Sequence, residues 1–299
     1  MIVLEWTISG FHDVAMNALS SLWATIFEKL LTSIAWQTFA VLSLFFLVLV
    51  FIEWMTNRRI SRYLEASFFT DLVYTLLIVG GAYAWCQQPI ITWIDSLLRQ
   101  HAAFLYMNLL HAVPEPLQLI AFLLAIDFCR YWKHRWMHSV SILRAIHSIH
   151  HAPENFNFLT TYRIHLVEYI FDGIVTLMPV VLLGIPPEMW LPVYLSLILL
   201  TALNHSDTDL SFGWLNRILV CPRFHATHHS SDHRDYDTNY GSLFSFWDIL
   251  FGTANFKQSR PDRYGLPNLK MPPSFLGQLI FPAKPIFRQF RQKKRLSLK

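Results

Sequence analysis

Residues 224–241 read FHATHHSSDHRDYDTNYG, and this one short segment of an apolar protein carries His225, His228, His229 and His233. The HxxHH spacing of 225–229 recurs upstream in HSIHH at 147–151, just after KHRWMH at 133–138. Residues three and four apart lie on one face of an α-helix, so His134 and His138 can reach a single ion. In HSIHH, His147 and His151 are nearly in line, while His150 lies about 60° to the other side of His147 at 3.6 residues per turn. Such a fan serves two metals better than one. Pro153 disfavours helical geometry in the residue before it, and Pro222 is suited to opening a second helix, so FHATHHS is expected to present the same fan from an opposite wall.

The rest of the chain sets the surroundings of these histidines. It has 299 residues, 54% hydrophobic and 15% charged, with 14 His and 11 Trp. Its mean hydropathy is +0.34. This profile is that of a membrane protein, with no expectation of a nucleic-acid partner. Cys86, Cys129 and Cys221 are far apart and form no CxxC, so neither a disulfide framework nor a thiolate zinc site is indicated. Uncharged imidazoles at a membrane boundary are costly without partners, which favours a metal site over scattered structural histidines. The solitary His12, His101 and His111 read as core or interface residues, and His233 as an exposed loop residue.

Apolar runs at 36–55, 68–86, 117–132, 166–183 and 187–203 suggest four to five transmembrane helices, the last two separated by GIPPE at 184–188. Arg58, Arg59 and Arg62 follow the first run, whereas the 87–116 link carries only Arg99. That bias places the first link in the cytoplasm, and with five crossings it puts the histidines from His134 to His229 at or beyond the cytoplasmic face. Residues 1–35 are read as an N-terminal segment with an interfacial helix, 36–254 as one membrane-embedded catalytic domain, and 255–299 as a basic cytosolic tail. The tail holds 11 Lys/Arg against the single acidic Asp262. It is read first as a lipid-surface anchor and second as a docking patch for an acidic electron carrier.

HxxxH, HxxHH, a later lone histidine, then HxxHH followed by Asn239-Tyr240-Gly241 and WDILFGT at 247–253 resembles the integral-membrane fatty acid hydroxylase/sterol desaturase superfamily. The resemblance covers about residues 120–254. It implies an all-α membrane bundle with a cytosolic helical cap and a histidine-rich dimetal site. Carried over position by position, the metal ligands are His134, His138, His147, His150, His151, His205, His225, His228 and His229. His165, in RIHLVE at 163–168, matches a pattern whose proline is here Leu166, and is counted as a site residue. A second histidine found in other members four residues before His205 is here Thr201, a gap that a water or His165 would fill.

Asp127 shares a helical face with His134 and His138 and is read as fixing an imidazole above the metals, with Glu154, Glu168 and Asp237 as further candidates. Arg135 and Arg163 read equally as interfacial anchors or site residues. An all-imidazole donor set suits iron, zinc or copper rather than magnesium or calcium. The resemblance implies two iron ions, with zinc able to replace them in purified protein, and O₂-dependent hydroxylation or desaturation of a lipid drawn from the bilayer. Electrons would come from a separate protein, cytochrome b5-like or a ferredoxin/reductase. The membrane would be a bacterial inner membrane or one of endoplasmic-reticulum type. Two other readings are kept: a histidine-rich metal transporter, which should carry its ligands near the bilayer midplane, and a b-type haem protein, which needs only two axial histidines.

Overall fold

Where the histidines fall is decided by how helices start and stop around them. The computed structural model describes residues 33–57, 63–185 and 190–282. The expected interfacial helix before residue 33, the arginines at 58, 59 and 62, most of the GIPPE break and the basic cluster at 287–299 lie outside these residues.

Helix α1 is Ser33–Asn57, α2 is Ala66–Val79 and α3 is Ala82–His101. Helix α4, Glu115–Ser139, opens after Pro114 with an acidic first residue and Pro116 in its first turn, both favourable at a helix N-terminus. It stops at Val140, whose φ −90° and ψ 120° are extended, and α5, Ser141–His151, starts at the next residue. That single extended residue folds the first HxxHH back against the HxxxH, and α4 and α5 pack together. Helix α6, Leu166–Leu183, is closed by Gly184 in the left-handed region at φ 68°. After α7, Trp190–Asn204, come three short helices: α8 (Pro222–His228), α9 (Phe246–Leu250) and α10 (Phe275–Ile280). Among the described residues there are no strands, only isolated bridges pairing Leu219 with Phe244 and Ser230 with Tyr264.

The described chain is thus all-helical, with α6 packed between α3 and α4. Buried carboxylates tie the helices to the segments around the histidines. Glu53 of α1 accepts the backbone N–H of Phe158 at 2.8 Å and of Asp207 at 3.0 Å. Asp71 of α2 takes Asn157 Nδ2 and Arg163 Nη1, each at 3.0 Å, which makes Arg163 part of a buried ion pair.

By length and composition, one described helix, α6, is able to cross a membrane, and only 17% of it is buried within the protein. Helices α2 and α3, bent by 45° at their junction, make a second span if taken together. Ser43–Thr56 and Leu195–Asn204 are shorter apolar stretches. The expected run at 117–132 lies in α4, whose C-terminal half, beginning inside that run, carries Asp127, Arg130, Lys133 and Arg135, so the whole helix is too polar to pass as a lipid-facing span.

Candidate metal centre

The two HxxHH segments and the HxxxH face one another as expected from their spacing, and His205 arrives from the end of α7. Their ligand atoms fall into two groups. The first contains His134, His138, His147, His151 and His228; the second contains His150, His205, His225 and His229, and within each group the candidate donor atoms lie within 4.8 Å of one another. Each HxxHH therefore supplies both groups, and α5 and α8 divide their histidines between them. All are buried except His138, which is partly so.

The Nε2 atoms are the ones that converge. Nε2 of His134, His138, His228 and His229 is buried with no hydrogen-bond partner. Nε2 of His147 lies 3.2 Å from Nε2 of His151, and Nε2 of His205 lies 3.1 Å from that of His150 and 3.0 Å from that of His225. Two nitrogens each about 2.0–2.1 Å from a common ion sit roughly 3 Å apart, which is the separation found here. Left without an ion, the same atoms would be a cluster of unsatisfied buried acceptors, a costly arrangement. The residues fit a pair of nitrogen-ligated transition metals.

In five of the nine, the opposite ring nitrogen has a partner. His134 Nδ1 donates to Tyr240 O at 2.9 Å, His228 Nδ1 to Thr238 O at 2.6 Å and His205 Nδ1 to Thr201 O at 2.8 Å. His147 Nδ1 donates to Glu168 Oε1 at 2.9 Å, and His138 Nδ1 lies 3.5 Å from Asp237 Oδ1. A carbonyl or carboxylate at Nδ1 fixes the tautomer that leaves a lone pair on Nε2, the form a metal takes. Burial reinforces this, because it disfavours the imidazolium. It pushes His205 down to about 4 and His228 down to about 3, and holds His150, His151, His225 and His229 well below the ordinary value.

The NYG and WDILFGT motifs build the clamp that supplies these carbonyls. Asp248 accepts the backbone N–H of Tyr240 and Gly241, each at 2.8 Å, and the hydroxyl of Thr253 at 2.6 Å. Position 241 must be glycine, since a Cβ there would lie 2.5 Å from Phe244 O and 3.0 Å from Asp248 Oδ2. Asn239 adopts φ 59°, a conformation Asn tolerates better than most residues, and its amide bridges Phe224 O and Asn255 O. Backbone acceptors such as Thr238 O and Tyr240 O leave no mark in a sequence, although the motifs that hold them do.

Two expectations are corrected. Asp127 does not touch an imidazole: its two oxygens accept the backbone N–H of Leu243 at 2.8 Å and Phe244 at 2.9 Å, so it anchors the loop rather than a ring. His165 lies in neither group. Because Leu166 opens α6, His165 is its cap, with Nδ1 accepting Val167 N–H at 3.1 Å and Nε2 donating to Leu279 O at 2.9 Å. Nor does it fill the gap at Thr201, whose carbonyl holds His205. Glu168 and Asp237, ranked below Asp127 in the sequence, are the carboxylates that reach histidines, while His233 is exposed as expected. His101 and His111, read as core or interface residues, are instead exposed and do not lie in the core.

Residues 119–253, which carry every histidine of both groups, match the family model for fatty acid hydroxylase. This segment is similar to the fatty acid hydroxylases. An ornithine lipid hydroxylase from Rhizobium tropici is 28% identical over 270 residues, covering 86% of this chain and 78% of the relative. The human alkylglycerol monooxygenase is 34% identical over 131 residues, 44% of this chain but only 29% of that enzyme. A methylsterol monooxygenase from Aspergillus fumigatus is 32% identical over 151 residues, 49% of each chain. No solved structure matches the chain. The relatives share lipid oxygenation and differ in the lipid.

Proposed function

We propose that this protein is a membrane-embedded, O₂-dependent lipid hydroxylase in which the nine histidines of the two groups hold two iron ions. The observation that carries the reading is the convergence of buried Nε2 atoms into two adjoining groups at one end of a cavity of about 310 Å³. The cavity runs between α4, α6 and α7, from His134, His147 and His205 to apolar Phe122, Val193 and Leu197. Zinc would satisfy the same nitrogens but offers no redox step, and the relatives named as monooxygenases weigh for iron. Bound there, two ferrous ions would supply the activation of O₂ that cleaves an unactivated C–H bond.

The chain's own part is to hold, dry and aim. Thr201, Thr238 and Tyr240 carbonyls and Glu168 keep the imidazoles in the ligating tautomer. Phe156 closes the second group, its ring 4.9 Å from His229 and 5.8 Å from His205, which excludes water from that side. Exposed apolar side chains on α6, among them Val167, Ile174 and Met178, suit contact with lipid; several crossings and a site at the cytoplasmic face are part of the same proposal. Electrons would come from a separate donor protein.

Lipid extracts of cells with and without the gene, grown under ¹⁸O₂, test the reading. A gene-dependent lipid carrying one labelled oxygen is expected. An unlabelled lipid with an extra double bond would replace hydroxylation by desaturation, and the absence of any gene-dependent lipid change would sink both.

A further inference from the structure

The cavity wall between the histidines and the apolar end is not apolar. Arg130 and Lys133 of α4 and Glu168 and Asp172 of α6 all face it. Lys133 Nζ lies 2.8 Å from Asp172 Oδ1 and 3.9 Å from Glu168 Oε1, and Arg130 Nε lies 3.4 Å from Asp172 Oδ1. These contacts could be read as a strut between α4 and α6, yet three features exceed that role. Glu168 Oε2 is buried with no partner, although Oε1 is bound to His147. Arg130 reaches Asp172 only at 3.4–3.5 Å, leaving most of its five donors unused. The cluster is also formally neutral. A singly charged guest would leave an uncompensated charge in a low-dielectric cavity, whereas a guest carrying both signs would not.

Resting on the oxygenase reading for the chemistry, we propose that the cavity takes a zwitterionic lipid with a primary ammonium and an anionic oxygen group on one head. The anionic group sits on Arg130 and Lys133, and the ammonium on Glu168 Oε2 and Asp172. Arg130 is one helical turn before His134 and Asp172 one turn beyond Glu168, so the head lies about 6 Å along the helices from the metal-facing residues. Its chains run over Phe122 and Leu197, away from the histidines. The carbon oxidised is therefore in the head or at its junction with the chain, not far down the tail. One C–H bond breaks and one C–O bond forms; the second oxygen atom of O₂ leaves as water, with two protons and with two electrons from the donor protein.

The test uses the full chain in neutral maltoside micelles, metal-free and iron-loaded, with dissociation constants measured for an N-acylated diamino acid lipid, its methyl ester, its N-acetyl derivative and phosphatidylethanolamine. The free diamino acid lipid is expected to bind about tenfold or more tighter than either capped form. Asp172→Asn should abolish discrimination against the N-acetyl derivative, and Lys133→Met discrimination against the ester, with thermal unfolding confirming that both variants are folded. Phosphatidylethanolamine binding as tightly as the amino acid lipid would assign the anionic group as phosphate, and weaker binding would assign it as carboxylate. Equal affinity of the wild type for capped and free lipids overturns the proposal, as does an equal loss for all four probes in the variants, which is what a strut would give. In ¹⁸O₂ turnovers, label in the acyl fragment overturns the head-side assignment. Discrimination by head with no labelled product would leave the pocket assignment standing and remove the oxygenase reading.

Discussion

The two histidine groups lie side by side but are held in different ways. In the first, four of five imidazoles have an external partner at Nδ1, and two of those partners are the carboxylates Glu168 and Asp237. In the second, His205 bonds Thr201 O, while Nδ1 of His150 and of His225 has no partner. That group is instead fixed by packing: the rings of His205 and His225 are 4.2 Å apart, and Phe156 lies against His229. An anionic partner makes an imidazole a stronger donor to a metal. The first group should consequently bind its ion more tightly, and the second should be the one emptied first by a chelator.

The largest effect is expected from removing a ligand on either side. His228→Ala and His205→Ala should each reduce turnover to background, because the proposed chemistry needs both ions, and elemental analysis should show metal loss in both. Full turnover in His205→Ala would make the second group structural and dissolve the pairing. Glu168→Gln comes next. It keeps the size of the side chain and removes the charge at His147, and should weaken metal binding in the first group about 10–100-fold without emptying the second. Chelator titration followed by metal counting separates the two. Equal weakening of both groups would mean that the difference in their partners has no energetic weight.

Acid should act on both groups before it acts on most of the fold. His228 and His205 have folded values near 3 and 4 against an ordinary 6.5. In that window the unfolded chain binds protons that the folded chain refuses, so their contribution to stability is complete above about pH 6.5 and is lost as pH falls towards 3–4. Metal-free protein should therefore lose thermal stability steadily below pH 6.5, and His205→Gln should flatten part of that slope. A pH-independent unfolding temperature between 7.5 and 5 would contradict the burial seen here.

Much of the site was legible in the sequence because helical spacing is a local property. HxxxH and HxxHH place their rings by rotation per residue alone, and Pro222 marks the start of α8 where expected. What was not legible depended on distant contacts. Asp127 lies on the right face for His134 by helical periodicity, but the loop at 243–244 reaches it first. His165 fits a motif, yet a helix begins one residue later and takes its nitrogen as a cap. The carbonyls of Thr238 and Tyr240 act through the backbone, so only the Asn, Gly and Asp that shape the loop could have announced them. The number of crossings was read from apolar runs, and α4 shows the weakness of that measure: one helix continues from an apolar half into a charged half that lines the cavity.

The smallest effect is expected at Asp237, and it tests whether charge alone separates the two groups. Its carboxylate stands 3.5 Å from His138 Nδ1, and its side chain is 53% exposed. The bond to His138 holds the Asp237 carboxyl below the usual range, with Arg144 adding to the effect, but solvent screens a group so open. It also sits at φ 57°, a backbone conformation that Asn accepts as readily as Asp. Asp237→Asn should therefore leave the loop intact and lower metal affinity by no more than a few-fold, well short of the loss in Glu168→Gln. The comparison is made by chelator competition at low and high salt. A loss as large as that at Glu168, or one that persists undiminished in high salt, would show that Asp237 is drawn in over His138 when the ion is bound, and that the first group is closed by its loop as well as by its helices.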